Sequence, residues 1–168
     1  LAFSPDGARL YVCGNLSNQL FELDATTGQV LRTFPVGVAP YAVVLVGTKA
    51  YVSNWGGRRP GPGDLTGPAG RGTVVRVDAE KHIASEGSVT VIPLATTNAA
   101  PTRSTEILTG LHASALAVSP NGHYVVCANA AADTLSVIDT RTDTVVETIW
   151  VKPKPSDLFG ASPNALAF

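Results

Sequence analysis

The residues best equipped for chemistry lie in one stretch, 55–86. It holds the densest charge of the chain: Arg58, Arg59, Asp64, Arg71, Arg76, Asp78, Glu80, Lys81 and Glu86. Arg58, Arg59 and Arg71 can present guanidinium forks to a carboxylate or a phosphate. The competing role is a solvated loop packed over a neighbouring unit, or one that docks a partner domain. Gly56 to Gly72 favours that role, being rich in Gly and Pro and unable to form a regular element. Trp55 opens the stretch and Trp150 follows a later strand. Either can stack on a ligand or cover a sheet edge. Of the three histidines, His82, His112 and His123, none is close to another in sequence, and His112 is the strongest candidate because it leads into a strand.

Patterns that would assign an enzyme are missing from the sequence. There is no phosphate-cradling glycine loop of the G-x-x-x-x-G-K-[ST] or G-x-G-x-x-G kind. Zinc spacing, H-E-x-x-H and calcium-loop series are also lacking, as is a G-x-S-x-G elbow. No catalytic residue, metal ligand or cofactor is therefore assigned. Asp24 and Asp139 open equivalent turns and read as turn caps, not as a carboxylate pair. Asn15-Leu16-Ser17 is a glycosylation sequon by pattern alone.

These residues are positioned by a repeat. Leu1-Ala2-Phe3 returns as Val43-Val44-Leu45, Leu116-Ala117-Val118 and Leu166-Ala167-Phe168. After each, a strand, a polar gap, a second strand, an Asp-led turn and a third strand follow. The units are 1–42, 43–115 with its insertion at 55–86, 116–165, and the start of another at 166–168. Ser4-Pro5-Asp6-Gly7 and Ser119-Pro120-Asn121-Gly122 read as tight turns. Gln19–Asp24 aligns with Thr134–Asp139. Short Val- and Tyr-rich strands between Gly, Asp and Asn turns indicate antiparallel meanders, and no segment has a helical period. Several strands, such as Leu10-Tyr11-Val12-Cys13, are apolar on both faces. That suits sheets stacked on both sides better than a sheet with one wet face. The fold expected is all-β: a partial β-propeller of three four-stranded antiparallel blades.

In such a meander the turns between first and second strands and between third and fourth strands share one end. The second-to-third loops and the fourth-to-first connections share the other. The insertion and the long stretch Trp150 to Ser162 both fall at the second end, which is the expected binding face. His112 lies in a fourth-to-first connection there, near the expected central channel.

Cys13 and Cys127 are read as equivalent positions two units apart. With packed sheets about 10 Å apart, they would be separated by about 20 Å, and a disulfide needs Cα atoms within about 7 Å. Two free, buried thiols are expected. The net charge is −1, so no global field favours nucleic acid or an anionic membrane. No apolar run approaches the roughly 18 residues of a membrane span. Residue 1 already reads as strand and no leader is visible, so the chain is expected to be a piece of a longer frame.

Tyr51-Val52-Ser53-Asn54 resembles the YVTN signature of surface-layer-type, YncE-like propeller repeats. Thr134-Leu135-Ser136-Val137-Ile138-Asp139 and Val145-Val146-Glu147-Thr148-Ile149 resemble the rest of that repeat. Ser53 to Pro60 and Phe159 to Ala165 are similar to bacterial proteins in which such a propeller precedes an alkaline-phosphatase-like phosphoesterase domain. The resemblance implies a ring of about seven blades, so further blades would be partners of the three here. It also implies an extracytoplasmic location and an accessory, non-catalytic binding role toward a protein partner or adjacent domain. Trp55, Arg58, Arg59, Arg71, His112 and Trp150 are its candidate contact residues. The alternative is part of a propeller enzyme with a central-channel site, either lactonase-like or a haem- or quinone-linked oxidoreductase.

Overall fold

Residues 1–70, 72–94, 104–154 and 156–168 are described by the computed structural model, and no helix is found among them. The strands in chain order are β1 (Ala2–Phe3), β2 (Arg9–Gly14), β3 (Gln19–Asp24), β4 (Val30–Pro35), β5 (Pro40–Val46) and β6 (Lys49–Asn54). They continue as β7 (Thr66–Pro68), β8 (Val74–Arg76), β9 (Gly87–Pro93), β10 (Thr105–Thr109), β11 (Ala113–Val118), β12 (Tyr124–Asn129), β13 (Thr134–Asp139) and β14 (Thr144–Trp150). Three antiparallel four-stranded sheets result, ordered β1-β2-β3-β4, β5-β6-β9-β10 and β11-β12-β13-β14, with β7-β8 as a separate pair.

The turns form for local reasons. Asp6 Oδ1 accepts from the Ser4 hydroxyl at 2.5 Å and the Ala8 amide at 3.0 Å. Asn121 Oδ1 repeats this with Ser119 at 2.8 Å and His123 at 3.0 Å. Asp24 Oδ1 caps the amides of Thr26 and Thr27 at 3.0 and 2.8 Å, and Asp139 Oδ1 caps Arg141 at 2.8 Å. These side chains take the amides a tight reversal leaves unpaired.

Packing explains the strands that are apolar on both faces. In the middle sheet, Val43, Ala50, Val52 and Ile92 pack against Tyr11, Leu20 and Val36. From its other face, Tyr51, Val89 and Val91 pack against Ala113, Val125, Cys127 and Ile138. In the third sheet β13 alternates instead, reading buried, half-buried, buried along its length.

Three sequence expectations need correction. Gly56 to Gly72, read as unable to form a regular element, holds β7, because Thr66–Pro68 finds an antiparallel partner in β8. Strands β5 and β11 begin at Pro40 and Ala113, three residues before the repeated motif, because a bulge between Pro40 and Val43, and another between Ala113 and Leu116, lets each strand run on. The cysteines are not equivalent. Cys13 pairs with Leu20, as Ala128 does with Leu135, whereas Cys127 pairs with Ser136. One residue of offset turns a strand side chain to the opposite face, so the thiols lie in different seams. Both are free, and burial pushes them up to about 11 for Cys13 and about 12 for Cys127.

The seam between the middle and third sheets is fastened at its turn end. Tyr51 Oη donates to Asp143 Oδ1 at 2.5 Å, and Lys49 Nζ reaches Asp143 Oδ2 at 2.7 Å and the Thr140 carbonyl at 3.0 Å. Tyr51→Phe removes a largely desolvated charged hydrogen bond and is expected to cost about 1–3 kcal/mol, measured by urea unfolding against wild type.

Candidate functional site at the loop end

Antiparallel order places the β2–β3, β6–β9 and β12–β13 loops at one end of the sheets, with the connections β4–β5 and β10–β11. Residues 55–86 join β6 to β9 and are held down on the β4–β5 connection by a short backbone ladder. Val38 N donates to Gly57 O at 2.8 Å, Gly56 N to Val38 O at 2.9 Å and Trp55 N to Ala39 O at 3.1 Å. Such closeness needs glycine: a Cβ on Gly37 would stand 2.5 Å from Asn54 Cγ and from Gly57 O.

Arg58, Arg59 and Arg76 of this insertion are engaged within the protein. Arg58 forms a bidentate pair with Glu86, Nε to Oε1 at 2.9 Å and Nη2 to Oε2 at 2.7 Å, and its amide also donates to Oε1 at 3.0 Å. Arg76 pairs with Asp64 at 2.5 Å and lies 3.8 Å from Glu86. Arg59 Nε donates to Val36 O at 2.6 Å and its Nη2 to Asn18 O, tying the insertion to the first sheet. Burial alone would raise the Glu86 carboxyl, but the hydrogen bonds and charge of Arg58 outweigh it and hold it below the usual range.

The insertion also hides a copy of the hairpin turn. Asp78 Oδ1 caps Glu80 and Lys81 at 2.9 and 2.8 Å, and His82 N returns to Asp78 O at 2.9 Å. His82 has φ +54°, matching Asp143 at +54° and Gly28 at +72°. The signal was in the sequence, since Val77-Asp78 five residues ahead of His82-Ile83 repeats the spacing of Ile138-Asp139 and Asp143-Thr144.

Trp55 and His112 are brought together. Their rings stack at 4.4 Å between centroids and 13° between planes, and Tyr41 lies tilted against the indole at 5.9 Å. His112 has φ +59°, and its counterparts Ala39 and Ser162 are also left-handed at +53° and +43°. This position turns the chain into the first strand of each unit. Burial lowers the His112 pKa, favouring the neutral ring.

Arg58 and Arg59 instead border a shallow cleft of about 270 Å³ with Pro35, Val36, Gly37, Ser104 and Glu106. Beside it lies a polar cluster that composition did not reveal. Asn54 Nδ2 donates to Ser88 Oγ at 3.1 Å, Thr90 Oγ1 at 2.8 Å and Glu106 Oε1 at 3.1 Å. Thr90 donates to Glu106 Oε2 at 2.9 Å, and Ser88 donates to its Oε1. Burial raises the Glu106 carboxyl above its ordinary value although these donors oppose the shift. The asparagine and hydroxyls are a repeat feature, since Asn129 Nδ2 donates to Thr134 and Ser136, each at 3.0 Å. Glu106 belongs to the middle unit, with Thr148 in its place in the third.

Trp150 ends β14, the outermost strand of the third sheet, where its ring lies 5.0 Å from Lys152 Nζ; Phe159 holds the same ammonium at 4.3 Å. Among the described residues no ring contact joins Trp150 to Trp55 or His112. Arg71 lies outside the described residues.

No protein-family model matches the chain, and no curated protein is detectably similar in sequence. Solved structures are similar to it in fold. Hydrazine synthase from Kuenenia stuttgartiensis is 22% identical over 88% of this chain and 34% of its own, with a TM-score of 0.61. A 6-phosphogluconolactonase-like protein from Bacteroides fragilis is 14% identical over 89% and 37%, with a TM-score of 0.53. A similar protein from Bacteroides uniformis is 17% identical over 89% and 39%, with a TM-score of 0.52. The three sheets are β-propeller blades. The chain spans between 34% and 39% of these three structures, and at such identities the likeness is one of fold.

Two outcomes follow from the blade-end geometry. Arg58→Ala leaves the mostly buried Glu86 carboxylate only the longer Arg76 contact, at 3.8 Å, as an ion pair and is expected to cost about 1–3 kcal/mol, with limited proteolysis cutting first within 55–86. The two carboxylates act on stability with opposite sign. Glu86, held low, contributes stability present above its unfolded pKa and lost as pH falls through the folded value. Glu106, held high, contributes stability present below its unfolded pKa and lost as pH rises through the folded value. Glu106→Gln should therefore gain stability relative to wild type as pH rises from about 4 to 7, read as the difference in thermal midpoint across that range.

Proposed function

We propose that this chain is a non-catalytic propeller module that binds a protein partner or adjacent domain through its loop end. The observation that carries the reading is the bracing of residues 55–86. Arg58, Arg59 and Arg76 are spent on Glu86, Asp64, Val36 and Asn18, so these parts of the loop are preset as a surface. A preset surface loses little ordering entropy on association, which suits a macromolecular contact. With the YVTN-like residues of β6 and β13, this supports the propeller part of a larger extracytoplasmic protein of the surface-layer type. An adjoining phosphoesterase domain is the finer form of that reading.

The test uses the full chain and a variant in which residues 58–85 are replaced by a short Gly-Ser turn. Each is immobilised and exposed to envelope extract of the source organism, and an antibody to the insertion sizes the native protein. The expected result is a partner retained by the full chain alone, and a native species well above 17.3 kDa. A partner retained equally by both chains, or by neither, overturns the reading.

A further inference from the structure

The loop end separates spent from unspent groups. Arg58, Arg59 and Arg76 of the insertion have partners, as described above. The ring cluster does not: among the described residues, no hydrogen bond is found to the Tyr41 phenol, the Trp55 indole nitrogen or the His112 imidazole. These rings are nonetheless ordered. Trp55 is stacked on His112, and Tyr41 is fixed by its place at the start of β5, where Asn15 Nδ2 holds the neighbouring Pro40 carbonyl at 3.3 Å. Tyr41 remains 49% exposed. If the rings served only to cover the seam, an exposed phenol would add little.

The cluster thus offers apolar ring surface rimmed by neutral polar atoms: a phenol, an indole N–H and an imidazole. An anionic ring such as a nucleotide would look for a cation, and the nearest candidates in sequence, Arg58 and Arg59, are already bonded. A pyranose has the complementary build, with an apolar C–H face and a rim of hydroxyls that both donate and accept. We propose that Tyr41, Trp55 and His112 form a stacking site for a neutral saccharide ring. This rests on the reading that the loop end is the working face, and it adds the class of ligand.

The experiment follows tryptophan emission of the full chain carrying Trp150→Phe, which leaves Trp55 as the reporter. The probes are maltohexaose, cellohexaose and chitohexaose, with choline and AMP as charged comparisons. A saturable shift with at least one hexasaccharide is expected, weakened about tenfold, or about 1.4 kcal/mol, by Tyr41→Ala. His112→Asn should weaken it too while keeping a residue that tolerates positive φ. An unchanged thermal midpoint for Tyr41→Ala separates lost binding from lost fold. No saturable shift with any hexasaccharide overturns the proposal, as does a shift that neither substitution alters, or one given only by choline or AMP. Saccharide silence with partner capture still dependent on 58–85 overturns this inference alone. Loss of that dependence as well overturns the reading beneath it.

Discussion

The arrangement of this protein depends on the contact between each inter-sheet connection and the loop of the sheet that follows. Ala39 O accepts from Trp55 N at 3.1 Å, and His112 O from Ala130 N at 3.0 Å. Apolar packing between sheets is strong but non-directional. These backbone bonds supply the missing direction and fix how one blade is set against the next. They require two local concessions. A left-handed residue must turn the chain at Ala39 and His112, and a glycine must stand before it. At Gly110 a Cβ would lie 2.7 Å from Asn129 Cβ and Cγ, as one at Gly37 would crowd Asn54. The strained position therefore sits where the surrounding bonds over-determine it.

From this contact the chemistry of the loop end divides into layers. Beneath the connection, the asparagine ending each of β6 and β12 gathers two hydroxyls of the next strand, a fully buried polar strip within an apolar seam. Above it, the insertion adds the ion pairs Arg58–Glu86 and Arg76–Asp64. Glu106 places a carboxyl where the third unit has Thr148. Desolvation of that group is opposed but not cancelled by its donors, which is why the carboxyl sits above its ordinary value.

Most of the fold was legible because it rests on period and turn chemistry. The Pro-Asp-Gly and Pro-Asn-Gly turns and the Asp-led turns are local devices, and they lie where their residues indicated. The strand starts at Pro40 and Ala113 were hidden because bulges break the alternation that marks a strand. The cysteine pairing failed for a related reason: two similar residues one place apart look equivalent in composition but face opposite ways. At the site, the stacking of Trp55 on His112 joins residues far apart in the chain. No local pattern encodes it, although both lay on the end that chain direction singled out. The engagement of Arg58 by Glu86 was equally non-local. Glu106 stood in an ordinary strand with nothing to mark its burial. The glycines at 37, 110 and 160, each two residues before a left-handed position, were the clearest sign left unread.

The offset of the two cysteines has a practical meaning. Cys13 packs into the seam between the first and second sheets and Cys127 into the seam between the second and third. Neither is fully shared with the other interface, and burial holds both thiols in the unreactive protonated form. The chain thereby carries one chemical gauge per joint. The order in which the two sulfurs become alkylated reports which joint breathes open first, without any label being introduced.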